Sequence, residues 1–498
     1  MKLLTTLFLF LTLPLVGEEA KSPIREELVE TIHTLSINGK DLHYKAFAGT
    51  LPYKTEKGEE KGHFFYTAFI KDAEPGTAPN TPSTRPIAFC FNGGPGSAAV
   101  WLNLGAFGPK RIVLKDLEIN LSPYRIEDNP YSLLDQIDLV FIDPISTGYS
   151  RPAPGEDPKQ FHGVDEDTRS VAEFIRLYTT RNNRWNSSKL LIGESYGATR
   201  ACVLASYLHD SLNLEINGII LVSSILNFQT INEEELGNDV PSIVFLPSFA
   251  ATAWYHKKLD PKLQQLKLET FLKEVELFAI SEYAPALALG DLLEGERKKQ
   301  VIQRLAAYTS LTPEQIERTN LRVCQNRFCK ELLRKEMRVI GRFDGRCISI
   351  DPAICGEGPT YDPSMENVLG AFNAAFNTYV RTNLNWVKDD PYWVLANVSP
   401  WDWGRDSFRS FNVTEGLKIL MSKNPKLKIF VASGYFDLAT PYFGTLYTFR
   451  HLALDPTICN NVQMGFYPAG HMMYLDPDSA KKLKGDLTQF LRPFANSP

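Results

Sequence analysis

Residues Lys189 to Gly197 read Lys-Leu-Leu-Ile-Gly-Glu-Ser-Tyr-Gly, an apolar run ending in Gly-x-Ser-x-Gly. A serine hydroxyl is a weak nucleophile until it is exposed and a base takes its proton. The spacing supplies the exposure. A strand that turns sharply into a helix lifts the serine above a sheet, and glycines flank it because side chains would collide there. Ser195 is the candidate nucleophile, with a purely structural turn after a buried strand as the alternative reading of the pentapeptide. The next residues, Ala198-Thr-Arg-Ala-Cys-Val-Leu-Ala-Ser-Tyr-Leu208, suit a helix, so strand, turn and helix follow in order.

The serine needs a base, an orienting acid and donors for a developing oxyanion. In the α/β-hydrolase layout these follow in the order serine, acid, histidine, each after a strand. Of the eight histidines, His451 and His471 lie near the C-terminus. His471 ends Gly465-Phe-Tyr-Pro-Ala-Gly-His, a strand end and a small-residue loop, whereas His451 sits in a helix-like stretch; His471 is the expected base. Asp437, just past the β-branched run beginning at Ile429, is the expected acid, and Asp455 in Leu-Asp-Pro reads as a turn former. Tyr196 offers the backbone N–H next to the nucleophile. Gly94, in Phe91-Asn-Gly-Gly-Pro-Gly96, offers the second. The same glycine loop lacks the Gly-x-Gly-x-x-Gly and Gly-Lys-Ser/Thr spacings of nucleotide-binding loops.

These residues require a sheet to hold them. Apolar runs of strand length recur at Phe64–Ile70, Ile87–Phe91, Leu139–Ile142, Leu190–Ile192, Ile219–Val222, Ile429–Ala432 and Met464–Tyr467. Helical patterns at Asp167–Tyr178 and Thr199–His209 separate several of them, which predicts an α/β fold with a mostly parallel central sheet. Between residues 229 and 345 the pattern becomes charged and Leu-rich, with helices expected at Lys262–Phe278, Leu292–Thr309 and Pro313–Thr319. That block reads as a helical lid insertion, or alternatively as a homodimer surface. The expected division is a signal peptide at 1–20, a β-rich entry at 21–61 with a hairpin turn at Asn38-Gly39, core at 62–228, lid at 229–345 and core again at 346–498.

The net charge of −5 and a pI near 6.0, with no long basic block, give no basis for electrostatic binding to nucleic acid or an anionic membrane. Met1-Lys2 and the apolar Leu3–Gly17 resemble a secretory signal, too short for a stable membrane anchor, so a periplasmic or extracellular location is expected. In an oxidising compartment the cluster Cys324, Cys329, Cys347 and Cys355, four of the seven cysteines, reads as two disulfides of undetermined pairing, with zinc ligation as the alternative.

Asn92-Gly-Gly-Pro-Gly96, Asp143-Pro-Ile-Ser-Thr-Gly-Tyr-Ser150, Gly193-Glu-Ser-Tyr-Gly197, Asp437 and Gly470-His471-Met472 together resemble the serine carboxypeptidase family from about residue 62 onward, and Ser97 to Pro109 looks more like its bacterial members. The resemblance implies a hydrolase that removes residues from peptide C-termini without a metal or other cofactor. It also implies that Asn92, the Gly93 amide and Glu194 bind the terminal carboxylate, Glu194 sharing a proton with it, so that peptide cleavage is favoured at acid pH. Two positions depart from the family pattern: Ala106 stands where many relatives carry a second glutamate, and Ser97 where a disulfide cysteine is found. Thr440 stands where some members have a cysteine. An esterase or acyltransferase with the same triad is the alternative, and an inactive secreted binding protein a further one.

Overall fold

The computed structural model describes residues 26–73, 83–115, 117–353, 355–404 and 407–495; the expected signal peptide lies outside them. A ten-stranded sheet organises the chain. Its strands are β1 (Leu28–Ile37), β2 (Lys40–Lys54), β3 (Glu60–Lys71), β4 (Ile87–Phe91), β5 (Asp138–Asp143), β6 (Arg151–Pro152), β7 (Lys189–Glu194), β8 (Gly218–Val222), β9 (Lys428–Gly434) and β10 (Val462–Tyr467). The order is β1-β2-β3-β5-β4-β7-β8-β9-β10, with β6 paired to β3. From β5 to β10 all neighbours are parallel. β1 to β3 extend the sheet as an antiparallel edge. Asn38 and Gly39, both at positive φ, form the two-residue turn between β1 and β2, as such a pair permits.

The central strands are apolar on both faces because both are covered. Leu190 and Ile192 of β7 and Ile220 and Val222 of β8 enter one core, while Leu191, Ile219 and Leu221 enter the opposite one. Helices α1 (Val164–Arg181), α2 (Tyr196–Leu212) and a later helix over Thr414–Lys423 cover the second face; helices over Pro363–Thr382 and Pro477–Ala495 cover the first. This is the expected α/β class. The antiparallel edge joins the main sheet, so the entry strands are continuous with it.

Between β8 and β9 the chain forms α3 (Val240–Tyr255), α4 (Leu268–Phe278) and α5 (Gly295–Thr309) with shorter helices around them. The continuous helix expected over Lys262–Phe278 is instead two, Pro261–Gln264 and Leu268–Phe278. Lys267 is extended, at ψ 141°, and breaks the run. The helices share a third core that includes Phe436 and Leu438, the neighbours of Asp437. The apolar interior of this block thus reaches the acid loop.

The cysteine cluster corrects the disulfide expectation, since all four of its members are free thiols. Helix Gln325–Glu331 turns Cys329 into the apolar interior, where Gln325 Nε2 donates to its Sγ at 3.0 Å, whereas Cys355 is exposed. Burial pushes the Cys329 and Cys347 thiols well up. Among the described residues no group of three or more His, Cys, Asp or Glu side chains could hold a metal ion, and no helix is long and apolar enough to cross a membrane.

Candidate active site

Every residue of β7 is buried, α2 begins buried, and Ser195 between them is half-exposed. Its φ of 59° and ψ of −127° lie in strained backbone space, a cost of about 1–3 kcal/mol that only a fixed surround maintains. Ser195 N–H donates to Val222 O at 3.0 Å, and Ala198 N–H donates to Ser195 O at 2.9 Å. A Cβ on Gly193 would lie 2.0 Å from Gly197 O, and one on Gly197 2.7 Å from Phe91 O. The two flanking glycines are therefore required by space.

The glycine loop after β4 rests on this elbow. A Cβ on Gly93 would come within 2.5 Å of Tyr196 N, so the loop backbone and the start of α2 are in direct contact. Tyr196 N–H belongs to the first turn of α2, where the helix offers no acceptor. Gly94, at φ 101° and exposed, follows Gly93 in the loop. Arg200, absent from the sequence reading, fixes the two elements together. Its buried guanidinium donates from Nε to Asp167 Oδ2 at 2.6 Å and from Nη1 to Asn92 O at 2.5 Å, and it lies over the rings of Tyr196 and Phe91.

Asp437 and His471 leave adjacent strands, β9 and β10. His471 Nδ1 is 2.7 Å from Asp437 Oδ2. Ala439 and Thr440 N–H donate to Asp437 Oδ1 at 2.8 and 2.9 Å, and Thr440 Oγ1 is 2.7 Å from Oδ2. Burial pulls the His471 imidazole down, but the Asp437 charge and hydrogen bond outweigh it and hold it above its ordinary value. The histidine loop is pinned to the serine side of the sheet through Ser223, which follows Val222 and donates from Oγ to His471 O at 2.6 Å. Among the described residues no hydrogen bond joins Ser195 Oγ to His471; such contacts are often long without substrate and tighten on binding.

A strap at the end of the helical block clamps both loops. His471 N–H donates to Phe343 O at 2.6 Å, Leu438 N–H to Arg342 O at 3.0 Å and Gly345 N–H to Phe436 O at 2.9 Å. The Phe343 ring stands edge-on to the imidazole at 4.9 Å.

Glu194 precedes the nucleophile and is buried. Asn92 Nδ2 donates to its Oε2 at 3.0 Å, and Tyr474 OH donates to the same oxygen at 2.8 Å. Burial raises its carboxyl to about 7, against the lowering effects of His471, Tyr474 and Asn92. No sequence pattern singles out Tyr474, although its place three residues after His471 puts it on the same loop. The other expected residues are assembled as follows: Asn92, Gly93, Gly94, Glu194, Ser195 and Tyr196 meet at the β4 and β7 ends, and Asp437 pairs with His471. His451 caps the helix over Tyr442–Arg450 and is exposed. Asp455 accepts from Thr457 N–H at 2.9 Å in a local turn.

Asp143 is a second carboxyl raised by burial to about 7. It accepts from Ala99 N–H at 2.8 Å and Tyr392 OH at 3.3 Å, so its motif braces the segment that follows the glycine loop.

The serine carboxypeptidase family profile matches residues 38–460. Among curated relatives, serine carboxypeptidase-like 33 of Arabidopsis thaliana is 27% identical over 135 residues, 26% of each chain. Serine carboxypeptidase-like 34 of the same plant is 24% identical over 202 residues, 38% of this chain and 36% of the relative. The chain thus matches about a quarter to a third of the length of these relatives. The crystal structure of Kex1(delta)p, a prohormone-processing carboxypeptidase from Saccharomyces cerevisiae, superposes with TM-score 0.52 at 16% identity over 91% of both chains, a likeness of fold.

Proposed function

The chain belongs to the serine carboxypeptidase family, and from that premise we propose that it is a serine-type carboxypeptidase acting on the C-termini of peptides. Ser195 Oγ attacks the scissile carbonyl carbon while His471 Nε2 takes its proton, and Asp437 orients the imidazole. The N–H groups of Gly94 and Tyr196 receive the oxyanion. The C–N bond then breaks as His471 returns the proton to the leaving amine, and water, deprotonated by the same histidine, releases the acyl group.

The observation that carries the reading is the buried Asn92–Glu194 pair beside the nucleophile. A carboxyl held near 7 keeps its proton in mild acid and can donate to a substrate carboxylate, whereas two charged carboxylates at that distance would repel. Asn92 and the Gly93 amide are the accompanying donors. Peptide cleavage is accordingly favoured below about pH 7. Residues 1–20 act as an export signal, which places the enzyme in the periplasm or outside the cell.

Ala106 favours a second reading, an esterase or acyltransferase, because Trp101–Phe107 contributes no carboxylate to the site. The test compares a blocked dipeptide free acid, its C-terminal amide and a simple ester. Strong preference for the free acid supports the carboxypeptidase; preference for the ester, with the free acid and the amide cut equally slowly, assigns the second reading.

A further inference from the structure

Tyr474 has no part in the chemistry at Ser195, yet its buried hydroxyl ends on Glu194. Burial first, and then the charge of Glu194, push the phenol well above its ordinary value, so it remains a donor. Tyr474 OH and Asn92 Nδ2 both donate to Oε2, at 2.8 and 3.0 Å. An oxygen already facing two donor hydrogens is a poor place for a third. When Glu194 is protonated the hydrogen therefore belongs on Oε1, which has no hydrogen-bond partner among the described residues.

The ring is admitted by a lack of bulk opposite it. A Cβ on Gly105 would lie 2.6 Å from Tyr474 Cε2. The same Trp101–Phe107 segment holds Asn92, Leu102 N–H donating to Asn92 Oδ1 at 3.2 Å. The missing side chain at Gly105 thus leaves the space that the Tyr474 ring fills where its hydroxyl meets Glu194.

We propose that Tyr474 is a positioning residue for recognition of the substrate terminus: by occupying Oε2 it leaves Oε1 as the proton-bearing oxygen offered to the terminal carboxylate. The inference rests on the carboxypeptidase reading above. It also fixes a pH response. The titratable groups facing Glu194 are His471, Tyr474 and Asp437; the first two favour its ionised form and Asp437 disfavours it. Removing the phenol takes away a contact that favours ionisation, so Glu194 holds its proton to higher pH.

The experiment measures kcat/KM against pH for the wild type and Tyr474→Phe, with a blocked dipeptide free acid and its C-terminal amide. The alkaline limb for the free acid is expected to rise by about one pH unit. At acid pH its KM rises a few-fold, because the proton is no longer confined to Oε1, while the amide profile stays in place. A limb that stays or falls, or equal changes for both substrates, overturns the role. Should the phenylalanine variant not fold, 3-fluorotyrosine at position 474 donates more strongly and lowers the limb; an unmoved limb then overturns it. A wild type without preference for the free acid removes the carboxypeptidase reading and this role together, whereas preference with an unmoved limb removes only the role of Tyr474.

Discussion

Thr440 Oγ1 lies 2.7 Å from Asp437 Oδ2, the same oxygen that His471 Nδ1 meets at 2.7 Å. Thr440 Oγ1 is also 3.0 Å from Ser223 O. It lies 3.2 Å from His471 Nδ1 as well, and its one hydrogen goes either to Asp437 or to Ser223, the residue that follows β8. Deleting the hydroxyl concentrates charge on Oδ2 and strengthens the attraction that already raises His471. Thr440→Val is expected to move the acid limb of kcat upward by about half a pH unit or more and to lower kcat about tenfold, with Thr440→Ser restoring both. A pH profile of kcat for the three proteins checks this, and an unmoved acid limb in Thr440→Val would count against the contact.

Ser195→Ala removes the hydroxyl to which the attack is assigned. Turnover of peptide and ester alike is expected to fall by about 10⁴-fold or more, since the remaining groups supply only binding and oxyanion stabilisation. Alanine keeps a Cβ in the strained φ of 59°, so the melting temperature should stay near that of the wild type. Initial rates with a thermal melt test both halves, and retained turnover would refute the assignment of Ser195.

The elbow was legible in sequence because its constraint is steric and local: Gly193 and Gly197 have no room for a Cβ, and the apolar run before them is a buried strand. Asp437 and His471 were legible because each follows an apolar strand in the order the layout demands. Contacts between distant elements were not. Tyr474 and Glu194 are 280 residues apart, and Arg200 and Asn92 are 108 apart; no local pattern records that they meet. An arginine within the apolar face of α2 was nevertheless a signal, since a charge there must be paired. The cysteine spacing misled for the converse reason, because it says nothing of orientation: Cys329 faces the interior and Cys355 the solvent. The strap Arg342–Arg346 has no pattern in the sequence because three of its holds on the two loops run through backbone atoms, which sequence does not distinguish.

Glu194→Gln removes the titrating proton and keeps the shape. For a blocked dipeptide free acid, the wild-type KM is expected to rise above about pH 7 as the carboxyl ionises. The KM of the variant should stay nearly flat from about pH 6 to about pH 8, at a value above that of the acid-pH wild type. Steady-state kinetics at constant ionic strength decide it; a variant profile that tracks the wild type would remove Glu194 from carboxylate recognition.

The same shift has a stability counterpart. Burial raises the folded-state carboxyl of Glu194 to about 7 from an ordinary 4.5. Its contribution is therefore fully present below the ordinary value and is lost as pH rises through about 7. Once ionised in both states, the buried carboxylate costs the wild type about 3 kcal/mol at most. Glu194→Gln pays no such penalty, so its stability relative to the wild type should improve between about pH 5 and about pH 8. Denaturant unfolding of both proteins at the two values measures the difference, and a constant gap would contradict the buried protonated state.

Arg200 and Asp167 form a buried ion pair, Nε to Oδ2 at 2.6 Å, with side chains 1% and 4% exposed. Burial pushes the Asp167 carboxyl up even though the Arg200 charge and hydrogen bond pull it down, so the two depend on each other. Removing either leaves a charge without its partner, an effect of about 3–5 kcal/mol. Arg200→Met is expected to destabilise the protein by that order and to loosen the glycine loop, because the guanidinium also holds Asn92 O. The double variant Arg200→Met with Asp167→Leu removes both charges and should recover much of the stability. It cannot restore the hold on Asn92, so KM for the free-acid peptide should stay raised while stability returns. Unfolding curves and KM for the two variants separate these effects; recovery of both together would mean that Arg200 serves the fold alone and not the placement of the carboxylate-binding loop.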